Sequence, residues 1–228
     1  MAEPYLECPL AWRRGTLEPN ETLGLILRVD TGGTPPTGVA EYWDGGIGWL
    51  TPKEIARTRH GLYVTRTERT ITPAGLKVSG SRVLDPGTVM LTKRAPVGAV
   101  AVAAAPMATN QGFLSFTCGP LLRPTYLAYW LVANRPYLDG VANGSTYPEL
   151  YKGDLFEFEI AVPELAEQDR ALDFLASLEF GALLGPCLEQ LTSHAGRMAA
   201  IHEETRRLTH LRDTLLPLLM SGRVELGG

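Results

Sequence analysis

The four histidines are the side chains best suited to hold a metal, and their spacing argues against a metal site. His194, His202 and His210 lie eight residues apart, so on a helix each is turned by about 80° from the one before it. Residues 202–206 begin like the zinc-hydrolase pattern HExxH, but Arg206 stands where the second histidine must be. The sequence also lacks GxSxG and the phosphate-binding loop GxxxxGK[ST]. We therefore predict that the chain is not an enzyme by itself.

Basic side chains suggest binding chemistry instead. Residues 53–94 contain nine lysines and arginines and three acidic residues, a net charge of +6, whereas the whole chain has a net charge of −4. A local basic patch can bind DNA phosphates even on an acidic protein, and arginine can also bind the O6 and N7 atoms of guanine. The alternative is a solvated surface with a chance excess of arginine. The candidate DNA-contacting residues in this stretch are Lys53, Arg57, Lys77, Arg82, Lys93 and Arg94.

Polar side chains on a loop at 141–147 and just after it extend this candidate set. Asn143, Ser145, Thr146 and Lys152 can donate hydrogen bonds to phosphates, although a plain surface loop has the same composition. Elsewhere, Asn110 and Gln111 could bind the edge of adenine or cap backbone groups inside the fold. We favour the structural role, because Gly112 follows and the neighbouring residues are apolar.

The elements that must position these residues are short. Residues 41–51 are interpreted as a glycine-rich turn between Trp43 and Trp49, and two tryptophans in such a place are typical of packing rather than ligand binding. Turns are also predicted at 72–75 and 85–87. Short helices are predicted at 52–57, with Thr51 as the N-cap, and at 126–133. Strands are predicted at 62–64, 68–72, 88–92, 97–104, 114–117 and 155–162, and either a strand or a helical turn at 23–29.

The chain after Pro163 has a helical pattern, so the predicted fold class is α+β: a mixed α/β domain at 1–163 followed by a long helical, coiled-coil-like arm at 164–228. A single helix at 186–220 would be roughly 50 Å long. Its apolar residues form a seam suited to a partner helix, although an ordinary terminal helix lying on its own domain would show a similar pattern. The seam residues are Leu188, Leu191, Met198, Ile201, Leu208, Leu211, Leu215 and Leu218.

The remaining composition restricts the cellular setting. Three widely scattered cysteines make neither a disulfide framework nor a CxxC metal site. The first residues lack the apolar core of a signal peptide, and no window of about 18 apolar residues could span a membrane. We therefore expect a cytoplasmic protein with no membrane partner.

Five segments, in the same order along the chain, show a likeness to a known family. They are TGGTPPTGVAEYWDGGIGWLTPKEI, ITPAGLKVSGSRVLDPGTVMLTKRAPVGAVAV, ATNQGF, NGSTYPELYKGDLFEFEIAVPELAEQ and LRDTLLPLLMSGRVEL. On these residues the chain resembles the specificity subunit of type I restriction–modification enzymes. The likeness extends over nearly all of the sequence from residue 23 onward.

This resemblance implies a target-recognition domain followed by a helical spacer. Full-length subunits of the family have two of each, whereas this sequence has one, which resembles a half-subunit or a fragment. A half-subunit is expected to form a homodimer through its arm and to bind a bipartite, inverted-repeat DNA site. The implied partners are double-stranded DNA, a DNA methyltransferase (modification) subunit and a restriction/translocase subunit. S-adenosylmethionine, ATP and Mg²⁺ are expected on those subunits and not on this chain.

Two other functions remain open at this point. The chain could be a protein-interaction or dimerisation module that scaffolds a methyltransferase without reading DNA itself. A stand-alone nuclease is disfavoured, because no cluster of metal ligands stands out in the sequence.

Overall fold

A computed structural model of the chain describes residues 13–20, 24–57, 62–94, 96–142, 149–156, 159–190 and 197–221. The chain divides into two compact units. One is Arg14–Ile160, and the other holds Arg13 and the described residues from 161 onward. The predicted division into domains at 163 and 164 stays a prediction.

Most of the chain's described strands are short and lie in the first unit. The strands are β1 (Arg13–Thr16), β2 (Ile26–Asp30), β3 (Trp43–Leu50), β4 (Tyr63–Val64), β5 (Arg69–Ile71), β6 (Val89–Thr92), β7 (Val100–Ala103), β8 (Met107–Thr109), β9 (Phe113–Cys118) and β10 (Glu159–Val162). One sheet has the order β2-β9-β6-β7-β4, a second has the order β5-β3-β8, and β1 pairs with β10. The pairs β7–β4 and β3–β8 are parallel, and the other pairs of the two larger sheets are antiparallel.

Helices connect these strands and make up most of the chain's last part. They are α1 (Pro52–Arg57), α2 (Pro73–Ser79), α3 (Pro124–Ala133), α4 (Arg135–Val141), α5 (Lys152–Phe156), α6 (Leu165–Gln190) and α7 (Arg197–Met220), with a 3-10 turn at Ala40–Tyr42. Among the described residues, none of these helices is long and apolar enough to cross a membrane.

Part of the core of the first unit lies between the five-stranded sheet and α3. All four residues of β6 are buried, as are Phe113, Leu114 and Phe116 of β9. Helix α3 contacts β6 and β7 and buries Tyr126 and Leu127. Burial of each such large side chain contributes roughly 1.5–3 kcal/mol, so this core holds the ends of β2, β6 and β9 at fixed positions.

Several elements confirm the sequence predictions. Helix α1 has the predicted bounds, and β4 to β7, β9 and α3 lie where strands and a helix were expected. Strands β6 and β7 pair antiparallel, so the connection through Lys93 and Arg94 joins them as a hairpin. The described elements therefore confirm a mixed α and β architecture with helices in the chain's last part.

The predicted turn at 41–51 is wrong, because most of it is strand β3. The glycines form a bulge within the strand: Trp43 and Ile47 both face Ile71 of β5, and Asp44 has a positive φ of 56°. A Cβ on Gly45 would lie 2.5 Å from the carbonyl oxygen of Ile71. Glycine here permits the close approach of two strands rather than a reversal of the chain.

Two other local predictions need correction. Residues 72–75 begin helix α2 rather than a turn: Thr72 is its N-cap, and the Thr72 side chain accepts a hydrogen bond from Gly75 N at 3.1 Å. The strand predicted at 155–162 is shorter, since α5 occupies its first residues and β10 begins at Glu159.

The single helix predicted at 186–220 is also wrong. Pro186 lies inside α6, and α6 and α7 contact each other, which two segments of one straight helix cannot do. Of the predicted seam, Leu191 and the side chains of Leu188, Met198 and Ile201 lie outside what the structure describes. On α7, Leu211 is exposed, Leu208, Leu215 and Leu218 are half-buried, and the buried apolar residues are Leu216, Leu219 and Met220.

Candidate nucleic-acid interface

The carboxyl ends of four strands meet around residues 109–112, which join β8 to β9 and are called here the connector. Strands β2 and β6 both run antiparallel to β9, and their last residues lie opposite its first residues. Strands β3 and β8 are parallel and end side by side, with Leu50 opposite Thr109. The segments that follow β2, β3 and β6 therefore all begin beside the connector.

Backbone hydrogen bonds attach these segments to the connector. Gly33 N donates to Thr109 O at 3.0 Å, and Lys93 N donates to Gly112 O at 2.8 Å. Ser81, just after α2, donates from its hydroxyl to Thr109 O at 3.2 Å. Main-chain bonds of this kind position side chains with little freedom, so the residues next to each bond are held near one another.

Lys93 and Arg94 share one carboxylate. Lys93 Nζ lies 3.1 Å from Glu149 Oε1, and Arg94 Nε lies 3.0 Å from Glu149 Oε2. The Lys93 and Glu149 side chains are 16% and 18% exposed, whereas that of Arg94 is 51% exposed. Of the three, only Arg94 therefore presents much of its charged group to a ligand.

The charge of Glu149 is stabilised by its two partners. Desolvation alone would raise its pKa, but the hydrogen bonds from Arg94 and Lys93 and their positive charges outweigh that effect. The pKa of Glu149 therefore lies below its usual value, and the carboxylate is ionised at neutral pH.

A second charged group lies at the end of β2. Arg28 Nε is 2.6 Å from Asp30 Oδ2, and Arg82 Nε is 4.0 Å from Asp30 Oδ1. The Arg82 side chain is 59% exposed. Exposed ion pairs at such a distance are weak, so Arg82 is available to an incoming phosphate.

Lys152 is placed differently from its prediction. Its Nζ donates to Val29 O at 3.1 Å and is half-buried, so the ammonium group fixes the end of β2. Just before it, Leu150 N donates to Lys93 O at 3.0 Å. The stretch that holds Glu149 and Lys152 is thus tied to both β6 and β2.

Lys53 and Lys77 are exposed, on α1 and α2 respectively. Pro52 is close enough to the connector that a Cβ on Gly112 would come within 2.8 Å of it, which places the start of α1 there. A Cβ on Gly33 would lie 2.1 Å from the carbonyl oxygen of Ser79, at the end of α2. The Arg57 side chain and residues Asn143, Ser145 and Thr146 lie outside the part of the chain that the structure describes.

The amides of the connector have the structural role that we favoured from the sequence. Asn110 Oδ1 accepts from Gly112 N at 2.8 Å, and Asn110 N donates to Leu50 O at 3.0 Å. Gln111 Oε1 accepts from the hydroxyl of Thr34. These contacts fix the connector and the loop after β2.

The tryptophans also pack, as the sequence indicates. Both are buried, and their rings meet edge to face with centroids 5.1 Å apart. Trp49 Nε1 donates to Gly33 O at 2.9 Å, which holds the loop after β2. Arg69 Cζ lies 3.5 Å from the centroid of the Trp43 ring, a cation–π contact.

Sequence reasoning missed Arg28, Arg69 and Glu149 as parts of this region. Arg28 lies within an apolar run, and nothing in the sequence apart from its charge distinguishes Arg69. Glu149 is far along the chain from Lys93 and Arg94, so only the tertiary fold shows that they form one cluster.

The arrangement can bind a polyanion. Lys53, Arg82 and Arg94 are exposed around the connector, whereas Asp30 and Glu149 are each paired with two cationic side chains. Within the described residues, no group of three or more histidines, cysteines or acidic residues is placed to hold a metal ion.

Comparisons with known proteins agree on one family. The family model for the type I restriction modification DNA specificity domain matches residues 20–181. The type I restriction enzyme MjaIX specificity subunit of Methanocaldococcus jannaschii is 40% identical over 154 residues, which are 66% of this chain and 35% of that protein. The EcoR124I/EcoR124II specificity subunit of Escherichia coli is 25% identical over 178 residues, 75% of this chain and 43% of that protein. The chain thus spans less than half the length of either relative.

Solved structures show the same fold. The HsdS subunit from Thermoanaerobacter tengcongensis matches 98% of this chain and 48% of its own, with a TM-score of 0.58 and 21% identity. A chain from a study of complex assembly and conformational transition of the type I R-M system matches 98% of this chain and 49% of its own, with a TM-score of 0.60 and 23% identity.

Proposed function

The chain belongs to the type I restriction–modification DNA specificity domain family, and on that premise we propose that it is a non-catalytic protein that recognises a DNA sequence. The observation that carries the proposal is the meeting of four strand ends at the connector, which gathers predicted DNA-contacting residues from separate parts of the chain. Lys53, Arg82 and Arg94 are all exposed there. A duplex lying across this edge would place phosphates against several cations at once.

The roles of these cations differ with their surroundings. Lys53 and Arg82 are exposed on a helix and a loop, and suit contacts with phosphates, which tolerate side-chain motion. Lys93 and Lys152 are held by Glu149 and by Val29 O, so they position the interface from behind. Arg94 differs from both groups, since it is held at Nε and is still half exposed.

We further propose that the chain directs partners to DNA. In this proposal a DNA methyltransferase (modification) subunit and a restriction/translocase subunit bind the chain, and S-adenosylmethionine, ATP and Mg²⁺ act on those subunits. The proposal is supported by the family to which the chain belongs.

The assembly that suits this function is a homodimer. Helices α6 and α7 contact each other, and Leu211 on α7 is exposed while three other seam leucines are half-buried. Packing these leucines against a second copy would bury them and relate two reading units by a two-fold axis. Two identical units with a fixed separation read a bipartite inverted repeat.

The direct test is selection from a random DNA duplex pool by the chain assembled with its methyltransferase partner. We expect enrichment of a bipartite motif with inverted half-sites. Enrichment of no motif, under conditions in which the assembled complex is stable, would contradict the proposal.

A second candidate is a module that scaffolds the methyltransferase without reading DNA. The engagement of Lys93 and Lys152 inside the fold favours it. Reversing the charge of Lys93 and Arg94 separates the two candidates. If the chain reads DNA, the variant still assembles with the methyltransferase, but its DNA affinity falls and the salt dependence of binding becomes shallower. If the chain is only a scaffold, assembly, DNA affinity and salt dependence all stay unchanged.

A further inference from the structure

Lys93, Glu149 and Arg94 form a charged cluster whose members differ sharply in exposure. The two inner members are less than one-fifth exposed, whereas Arg94 is half exposed. Arg94 contacts the carboxylate through Nε, and a guanidinium carries four further N–H donors on its two Nη atoms. The contact therefore holds one edge of the guanidinium while leaving donors for a ligand.

From this geometry we infer that Arg94 reads a guanine in the target DNA, and that Glu149 is the positioning residue that orients it. The inference rests on the proposed function and deepens it, because it names a specificity-determining residue and the base it recognises. Lys93 is the third member, and it holds the second carboxylate oxygen of Glu149.

The backbone beneath the cluster is fixed on both sides. Lys93 N donates to Gly112 O, and Lys93 O accepts from Leu150 N, so β6 is tied to the connector and to the residue after Glu149. Within the turn that follows, the Thr92 hydroxyl accepts from Ala99 N at 2.9 Å. The backbone of the residue before Arg94 is thus held on both sides, and Arg94 itself is held through Nε. Such a double restraint is what a bidentate contact to O6 and N7 of guanine requires.

Electrostatics favours a base over a phosphate as the ligand of Arg94. The carboxylate of Glu149 offsets part of the positive charge of Lys93 and Arg94, so the cluster attracts a phosphate less strongly than an unpaired arginine does. Guanine O6 and N7 are neutral acceptors, so their hydrogen bonds with the Nη donors depend less on the net charge of the cluster. Arg82, by comparison, is 4.0 Å from its acidic neighbour and more exposed, and is better suited to a phosphate.

The test compares Glu149→Gln and Arg94→Lys with the wild-type chain, each assembled with the methyltransferase partner. The probes are a random duplex pool and a fixed duplex without the enriched motif. We expect the wild-type motif to contain a guanine whose preference falls about 5- to 150-fold in both variants, the range for one bidentate arginine–guanine contact. Affinity for the fixed duplex should stay unchanged in Arg94→Lys and should stay equal or rise in Glu149→Gln, which removes a negative charge.

Lys77→Met serves as the matched control, because it removes an exposed cation from α2 without touching the cluster. It should weaken binding to all duplexes alike and leave the motif unchanged. The inference is overturned if both cluster variants enrich the wild-type motif with its guanine preference intact, or if they weaken all duplexes equally. Arg94→Lys keeps the charge at an exposed position, so it tests the guanine contact even if Glu149→Gln impairs folding. Enrichment of no motif by the wild-type chain is a separate outcome that overturns the proposed function and this inference together.

Discussion

Replacing Gly32 with alanine tests whether the loop after β2 is packed as closely on the connector as the structure shows. A Cβ on Gly32 would lie 2.0 Å from the carbonyl oxygen of Thr109 and 2.3 Å from that of Asn110. Real contacts of this kind are not closer than 3.0 Å, so one backbone must move by about 1 Å (the difference between those values). That movement also strains the hydrogen bond from Gly33 N to Thr109 O.

The expected cost combines two effects. Overpacking contributes about 1–3 kcal/mol, and a weakened backbone hydrogen bond contributes about 1 kcal/mol. The free energy of unfolding should therefore fall by about 2–4 kcal/mol, which for a unit of this size lowers Tm by about 4–16 °C.

Thermal and urea denaturation of the purified chain measure this change. Gly38→Ala is the matched control, because Gly38 is exposed in the same loop region and its Cβ would meet nothing within 4 Å. The control should leave Tm unchanged or raise it slightly. Equal stability of Gly32→Ala and Gly38→Ala would refute the close packing of the loop on the connector.

Three further predictions concern single side chains. The cationic partners of Glu149 lower its pKa in the folded state. The charge of Glu149 therefore stabilises the fold above pH ~4.3, its pKa in the unfolded chain, and this stabilisation is lost as pH falls through the folded-state pKa. The difference in unfolding free energy between wild type and Glu149→Gln should therefore shrink as pH falls from 7 to 3, and a constant difference would contradict the ion cluster. Burial raises the pKa of the Cys118 thiol to about 12. In a variant with Cys8 and Cys187 replaced by serine, iodoacetamide at pH 8 should therefore label Cys118 slowly in the native state and rapidly in denaturant. Equal labelling rates would show that the thiol is not protected. Arg69→Met should lower the free energy of unfolding by about 0.5–1 kcal/mol, because it removes the cation–π contact with Trp43. The control, Arg66→Met, removes a neighbouring exposed cation and should lower the free energy of unfolding less. Equal effects of the two variants would exclude the contact.

The sequence predicts those elements whose signals are local. The helix at Pro52–Arg57 follows a threonine, and the β-rich runs of β6 and β7 are separated by a turn that contains a proline, so these elements could be located from the sequence. The predictions at β3 and α2 were wrong because glycine and proline have more than one use. Gly45 allows two strands to approach, and Pro73 occupies the first turn of a helix, where its missing N–H costs nothing.

The long-range contacts could not be predicted from one sequence. Lys93 and Arg94 could be identified as candidates from their charge, but their pairing with Glu149 depends on the chain returning to β6 after α4. Lys152 shows the same limit, because its charge suggests a phosphate contact while the fold directs its ammonium to Val29 O. In the arm, an apolar repeat indicates a helix but does not show which residue begins it, so it does not reveal that the helix containing Pro186 begins at Leu165.

The most direct test of the central claim is the salt dependence of DNA binding by a variant that lacks two exposed cations at the connector. The claim is that the strand ends gathered there form the DNA-binding surface. We expect Lys53→Met combined with Arg82→Met to reduce the slope of log Kobs against log salt concentration by about 0.9 for each phosphate that the variant no longer neutralises. Arg170→Met, an exposed cation on α6 in the other unit, should leave the slope unchanged. If the double variant keeps the wild-type slope, or if Arg170→Met reduces it as much, the connector is not the surface that binds DNA.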